Sequence, residues 1–183
     1  MQIIKTSIDG VIILEPHIIK DARGYFFESF KQQEFDEKVC SVTFVQENES
    51  CSEKYVIRGL HYQKPPYSQA KLVRCVRGKI ISLALDMRKS SSTYGQCLQT
   101  ELSEYNNLFE FIPHGFAHGF ISLDANSIVQ YKCDNYYKKE EMFGVNVLDP
   151  ALNVMIPFGA DKSIISEADQ KRPSLKDTFS PFT

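Results

Sequence analysis

The chain has 183 residues, 43% hydrophobic and 24% charged, with 21 Lys and Arg against 23 Asp and Glu for a net charge of −2. That length accommodates one domain with a real core, and the near-neutral balance argues against nucleic acid or an anionic membrane as a partner. Five cysteines (Cys40, Cys51, Cys75, Cys97 and Cys133) are scattered without a CxxC pair, which argues against a zinc ribbon and suits a reducing compartment.

The first segment, "MQIIKTSIDGVIILEP", lacks the basic start, long apolar stretch and small-residue cleavage site of a signal peptide. No apolar run approaches the roughly 18 residues of a membrane span, so the expected location is the cytoplasm. Short apolar or alternating runs then follow one another. "GVIILEP" and "GYFFESF" read as strands, and "KQQEFDEKV" as two helical turns. "VTFVQENES", "YVIRGLHYQ" and "KLVRCVRGKIISLALDM" read as strands, with the Arg77-Gly78 step turning the last into a hairpin. "LFEFIPHGF", "AHGFISL", "SIVQYKCDNYY" and "FGVNVLDP" complete the strand set. "SIISEADQK" reads as two more helical turns, and from about residue 172 "RPSLKDTFSPFT" reads as a tail. No repeat or flexible linker divides the chain. The expectation is one all-β domain over residues 1–183, a sandwich or barrel.

Polar groups interrupt these apolar strands in a few places. Pro113, Gly115 and His118 in "IPHGFAHGF" fit P-x-G-x-x-H, the second signature of cupin jelly rolls. A Pro-Gly turn leading to a core-facing histidine is the competing explanation. The first cupin signature is broken. His61 is followed by Tyr62 and Gln63 rather than a second histidine, and Lys71 stands where a glutamate ligand belongs. A cation at that position repels a divalent metal, so no metal is expected. A metal-free pocket with Arg58, His61, Lys71 and His118 suits acid–base chemistry on an anionic or carbonyl substrate. Singly, Lys71 reads as a solvated strand-edge cation and Arg58 as half of a rim salt bridge; together the four groups are harder to dismiss. His17 and His114 lie at no ligand spacing and read as structural or exposed. Alternation puts Tyr131, Cys133, Asn135 and Tyr137 on one strand face, where a tyrosine hydroxyl can return a proton or merely pack. Alternation also sends Arg58 and His61 to opposite faces. For both to reach one pocket the strand must bulge or twist, and Gly59 permits it.

In order and spacing, "DARGYFFESF", "FVQENES", "VIRGLHYQKPPYSQAKLVRCVRGKI", "DMRKSSSTYG", "IPHGFAHGF" and "YKCDNYY" resemble the dTDP-4-dehydrorhamnose 3,5-epimerase family from about Gly10 to Pro157. The resemblance implies a cupin-type jelly roll (a double-stranded β-helix), a homodimer with exchanged N-terminal strands, and no cofactor. It implies epimerisation of a dTDP-linked 4-keto-6-deoxyglucose at C3 and C5. His61 is then the base, Asp169 its orienting partner, Tyr131 the proton donor and Lys71 the enolate-stabilising group. Ser166-x-x-Asp169 is also a helix-capping pattern. Arg58 and His118 line the sugar–phosphate site, Gln46 and Asn48 contact the nucleotide, and Tyr137 stacks on the thymine. Arg23 and Glu28 reach the thymidine from the dimer partner.

The chain departs from that family at Met142, where relatives often carry an acid, and at Ala168, where many carry a lysine. Val147 and Ile156 replace common tryptophans, a matter of repacking. The first two changes leave open which nucleotide or sugar is used. A single-centre epimerase on a related 4-keto sugar and a non-catalytic sugar-nucleotide binding module are the alternatives.

Overall fold

The structure, a computed structural model, describes residues 1–183. Its strands are β1 (Gln2–Lys5), β2 (Ile12–Glu15), β3 (Ile19–Asp21), β4 (Gly24–Phe26), β5 (Gln46–Ser52), β6 (Val56–Gln63), β7 (Lys71–Arg77), β8 (Lys79–Asp86), β9 (Cys97–Ser103), β10 (Phe109–Ile112), β11 (Phe116–Ser122), β12 (Ser127–Cys133), β13 (Met142–Gly144) and β14 (Ile164–Ile165). Helix α1 (Gln32–Lys38) precedes β5, and α2 (Glu167–Gln170) follows β14. One sheet runs β1-β2-β10-β7-β12-β5; the other runs β13-β6-β11-β8-β9, with β14 added beside β6. The β3–β4 hairpin stands apart as its own two-stranded ribbon. Two facing, mainly antiparallel sheets give the sandwich that the strand spacing predicts and the jelly roll that the resemblance implies. No helix is long and apolar enough to cross a membrane.

Alternation sorts the side chains of each strand to two faces. Along β8, Ile80 and Ala84 enter the cluster between the sheets, where they meet Val73, Ile112, Phe116, Phe120 and Val129. Leu83 and Leu85 turn outward with Ile57, Leu60 and Ile121, and there the loops bearing Val145, Val147 and Leu152 cover them. Under α1, Phe35 packs with Leu72, Phe109 and Phe111 on the outer face of the other sheet. Each fully buried aliphatic or aromatic side chain contributes about 1.5–3 kcal/mol. The inner face changes character along its length. Cys75 and its register partner Val129 belong to the apolar cluster, while Lys71 and Tyr131 line a cleft.

Several expectations need correction. Arg77-Gly78 makes no hairpin: β7 pairs with β10 and β12, and β8 with β11 and β9, so the chain crosses from one sheet to the other there. At Gly78, φ is +73° and a Cβ would lie 2.7 Å from the Ser127 hydroxyl, so the glycine serves a tight crossing rather than a turn between paired strands. The strand read in "GYFFESF" stops at Phe26, that in "VTFVQENES" starts at Gln46, and that in "FGVNVLDP" shrinks to Met142–Gly144. The helix in "SIISEADQK" is a single turn, preceded by β14. Strands β1, β3 and β9 were not anticipated. The segment after residue 172 is docked, not a free tail. Leu175 and Phe182 pack on the outer cluster, Ser180 is buried, and the Phe179 carbonyl accepts the Tyr62 hydroxyl at 2.8 Å.

Candidate active site

The cleft is organised by an irregularity in β6. His61 is the register partner of His118 and Arg58 the partner of Phe120, so three steps on β6 match two on β11. That extra residue is a β-bulge. It places Ile57 and Leu60, three apart, on the outer cluster, and Arg58 and His61, also three apart, in one cavity. Gly59 allows it: its φ is +107°, and a Cβ there would lie 2.6 Å from the Gly119 Cα and 2.7 Å from the His118 carbonyl oxygen. The bulge expected at Gly59 is therefore present. The Gly59–Leu60 peptide is cis.

His61 contacts Asp169 through Nε2, 2.5 Å from Oδ1. The other carboxylate oxygen accepts the Gly59 N–H at 3.3 Å. Asp169 sits on α2, whose start is capped by the Ser166 side chain accepting the Asp169 N–H at 3.1 Å. The capping pattern and the contact with His61 thus coexist: the residue's backbone serves the cap, and its carboxylate serves the imidazole. Burial alone would raise the Asp169 carboxyl, but hydrogen bonding from His61, the charge of His61 and the Gly59 N–H hold it below its ordinary value. With Nε2–H donating to Asp169, Nδ1 is left as the basic nitrogen.

His118 is 6% exposed. Desolvation first, then the charges of Lys71 and His61, hold its pKa well below the ordinary 6.5, so its imidazole stays neutral. Its ring lies 6.4 Å from that of Tyr131, near edge-on, and Lys71 Nζ is 5.7 Å from the Tyr131 ring centre. Desolvation raises the Tyr131 phenol, which keeps its proton, and lowers the Lys71 ammonium, with Cys133 opposing. Arg58 stays in the cavity, its Nε donating to Ser52 at 3.1 Å and an Nη to the Cys51 carbonyl at 3.2 Å.

Two cavities meet at His61, Tyr131 and Met142. The larger, about 590 Å³, adds Arg58, His118, Ala168, Asp169 and Arg172. The smaller, about 220 Å³, adds Gln46, Asn48, Gln63, Gln69, Lys71 and Tyr137. Gln46 donates to Asn48 at 3.0 Å and accepts the Tyr137 N–H at 3.0 Å, which ties the last to the sheet although β12 ends at Cys133. Asn135 and Tyr137 therefore lie beyond the strand and do not share its face by alternation. No group of three or more His, Cys, Asp or Glu side chains is arranged to hold a metal ion. His17 is exposed, and His114 contacts Asp134 at 2.7 Å. Val147 is buried and Ile156 packs against the same cluster, as repacking requires.

Arg23 and Glu28 are not brought to the cleft. Arg23 pairs with Asp21 at the exposed tip of the β3–β4 hairpin, and Glu28 borders surface cavities beside Phe27 and Phe35. Sequence reasoning missed Arg172, which reaches the larger cavity from just after α2. In the sequence it is one basic residue in a polar stretch. It also missed the buried acid Glu110, whose signal was a carboxylate in the middle of "FEFI".

Comparison with known proteins supplies the context for this geometry. The family described as dTDP-4-dehydrorhamnose 3,5-epimerase matches residues 5–177. The dTDP-4-dehydrorhamnose 3,5-epimerase of Methanothermobacter thermautotrophicus is 46% identical over 175 residues, covering 95% of this chain and 94% of its own. The crystal structure of the enzyme of that name from Elizabethkingia anophelis superposes with a TM-score of 0.92 at 40% identity, over 97% of this chain and 98% of its own. The dTDP-6-deoxy-D-glucose-3,5-epimerase of Legionella pneumophila, in complex with dTDP-4-keto-L-rhamnose, superposes with a TM-score of 0.93 at 40% identity, over 97% and 94%.

Proposed function

The chain belongs to the dTDP-4-dehydrorhamnose 3,5-epimerase family, and from that premise we propose how its own side chains carry the reaction. It epimerises dTDP-4-dehydro-6-deoxy-D-glucose at C3 and C5 to dTDP-4-dehydro-L-rhamnose, a step of dTDP-L-rhamnose biosynthesis. Each carbon adjoins the C4 ketone, so the carbanion left by losing a proton delocalises onto oxygen. One group takes the proton from one face of the ring, and another returns a proton to the opposite face.

His61 Nδ1 is the base. Its Nε2–H donates to Asp169, which supports the imidazolium once the proton has been taken. Lys71 and His118, which line the two adjoining cavities, would donate to the negative charge gathered on the C4 oxygen. Tyr131, a phenol kept protonated by burial, returns the proton from across the cleft; its phenolate is then reprotonated from solvent, and the proton on His61 leaves. Repeating the pair of transfers at the second carbon completes the double inversion. Arg58 holds phosphate oxygens. Gln46, Asn48 and Tyr137 take the nucleotide in the smaller cavity. The observation that carries this reading is the 2.5 Å contact of His61 with Asp169 in a cleft shared with Tyr131.

A homodimer belongs to the same proposal. The β3–β4 hairpin exposes Ile19, Tyr25 and Phe26 at 55, 59 and 66%, an apolar surface that a second copy covers. The partner subunit's Arg23 and the partner subunit's Glu28 would then reach the nucleotide. The single domain over residues 1–183 and the cytoplasmic location, which five free cysteines support, are part of this reading too. Incubating the protein with its substrate in deuterated water tests the whole. Deuterium at both C3 and C5 of the product is the expected result. One deuteron marks a single-centre epimerase, and none marks a binding protein.

A further inference from the structure

Glu110 is fully buried between the sheets and has no part in the chemistry above. Its neighbours Phe109 and Phe111 turn to the aromatic cluster under α1, so alternation sends Glu110 inward. A buried carboxylate is costly unless it is neutralised or hydrogen-bonded. Here its partners are two neutral hydroxyls. Thr100 donates to Oε1 at 2.7 Å, and the Ser82 hydroxyl is hydrogen-bonded to Oε2. The same Ser82 oxygen lies 3.4 Å from His118 Nε2. One hydroxyl therefore joins a buried acid to an imidazole that lines the cleft.

We propose that Glu110 is a positioning residue for the epimerisation: through Ser82 it decides which ring nitrogen of His118 bears the proton, and in its protonated form it makes Nδ1–H of His118 a donor toward the C4 oxygen. The inference rests on the reading of the cleft given above. A serine hydroxyl has one proton. When Glu110 is ionised, Ser82 donates that proton to the carboxylate, and its oxygen accepts from His118 Nε2–H. When Glu110 is protonated, its own O–H donates to Ser82, Ser82 donates to His118 Nε2, and the imidazole proton resides on Nδ1. The bonds from Thr100 through Glu110 and Ser82 to His118 then all run in one direction, an arrangement in which each strengthens the next.

Both states are reachable near neutrality. Burial pushes the Glu110 carboxyl up to about 7 against the pull of its two hydroxyl partners. Few titratable groups face this chain. The register partners of Glu110 on β2 and β7 are Ile13 and Val73, both apolar. From β9, burial first and the Glu110 charge second push the Cys97 thiol up to about 12, so it remains neutral. On the His118 side stand Lys71, His61 and Tyr131. His118 does not gain charge in this range, so what changes there is the tautomer.

The test is ¹⁵N NMR of histidine-labelled protein between about pH 5.5 and 8.5, where buried acids of this kind titrate, with His118 assigned by the signal lost in His118→Gln. The expected result is Nδ1–H at the acid end passing to Nε2–H at the alkaline end. In Glu110→Gln the amide N–H takes the place of the acid proton, so the tautomer stays Nδ1–H throughout. The ratio of the variant's kcat to that of the wild type should rise about tenfold across the range, as expected for one positioned donor. A wild-type His118 that keeps a single tautomer, or a Glu110→Gln protein that switches as the wild type does, overturns the proposal. If Glu110→Gln does not fold, the wild-type titration and Ser82→Ala decide it, because loss of the hydroxyl must uncouple His118 from the pH change. Correct tautomer switching without turnover would count against the catalytic reading and leave the relay standing.

Discussion

His61 and His118 are register partners on adjacent strands, yet their surroundings differ. His61 is joined to a carboxylate at 2.5 Å. His118 is desolvated and sits within reach of the Lys71 charge, and both effects disfavour its protonated form. A carboxylate holds one imidazole in place, while burial first and the Lys71 charge second keep the other neutral. Asp169 on α2 and Lys71 on β7 thus give two adjacent imidazoles different surroundings.

His61→Asn removes the base while keeping a polar side chain of similar bulk. Turnover should fall about 10²–10⁴-fold or more, while substrate binding, measured by calorimetry, changes little. Deuterium exchange into the substrate must fall with turnover, since no proton is abstracted. Near-normal exchange in this variant would mean that another residue is the base.

Asp169→Asn keeps the shape of the contact and loses the charge that supports the imidazolium. The kcat should fall by about 10²-fold or more, with a smaller change in KM. The stability effect has a definite sign. The Asp169 carboxyl is held below its ordinary 3.8 in the folded protein, so its stabilisation is complete above that value and is lost as pH falls through the lowered one. The variant should melt below the wild type at neutral pH, and the gap should close under acid conditions, below about pH 4. An equal gap at pH 7 and pH 3 would show that packing, not charge, sets the difference.

Tyr131→Phe keeps the ring beside His118 and removes only the hydroxyl. Abstraction by His61 continues, but return to the opposite face fails. Hydrogen exchange at C3 and C5 should therefore outrun formation of the epimer by about tenfold or more. Equal losses in both would take the donor role away from Tyr131.

Gly59→Ala places a methyl group 2.6 Å from backbone at Gly119 and 2.7 Å from the His118 carbonyl, in a residue whose φ of +107° side chains rarely adopt. Backbone cannot yield as a flexible side chain does. A loss of about 3 kcal/mol or more in stability is expected, read as a lowered midpoint in urea. Activity should fall beyond what unfolding explains, because the bulge that aims Arg58 and His61 is disturbed. A variant of wild-type stability and rate would show that the bulge does not need its glycine.

The sequence made the strands of the inner sandwich legible because one face of each is apolar at period two, as in "KIISLALD". Arg58, His61 and His118 of the larger cavity were legible because polar groups interrupt such runs, whereas Arg172 was not. The rest was hidden for physical reasons. Strand β9, "CLQTELS", alternates weakly because its inner face includes Thr100, a partner of Glu110, and β1 is mostly exposed. The crossing at Gly78 looks like a hairpin because a tight corner demands the same left-handed glycine. The last dozen residues form no regular pattern, and they dock by scattered anchors such as Phe182 and Ser180 that no periodicity reveals. Arg23 and Glu28 could not be placed in the cleft from one chain, since the hairpin that bears Arg23 is exposed and pairs with neither sheet.

Glu110 carries a stability prediction independent of catalysis. Its carboxyl is raised from 4.5 to about 7 on folding, so the folded chain holds a proton that the unfolded chain releases. Folding is therefore favoured least where Glu110 must be ionised: the penalty is absent below about pH 4.5, grows as pH rises toward 7, and is constant above it. By linkage it reaches roughly 3 kcal/mol. Glu110→Gln has no such penalty, because the amide never ionises. Its stability relative to the wild type should improve from about pH 5 to about pH 7 in denaturant titrations and level off above that, whatever its absolute value at either end. A constant difference across that interval would mean that the acid keeps an ordinary carboxyl despite its burial, and that Ser82 is a donor to a permanent carboxylate.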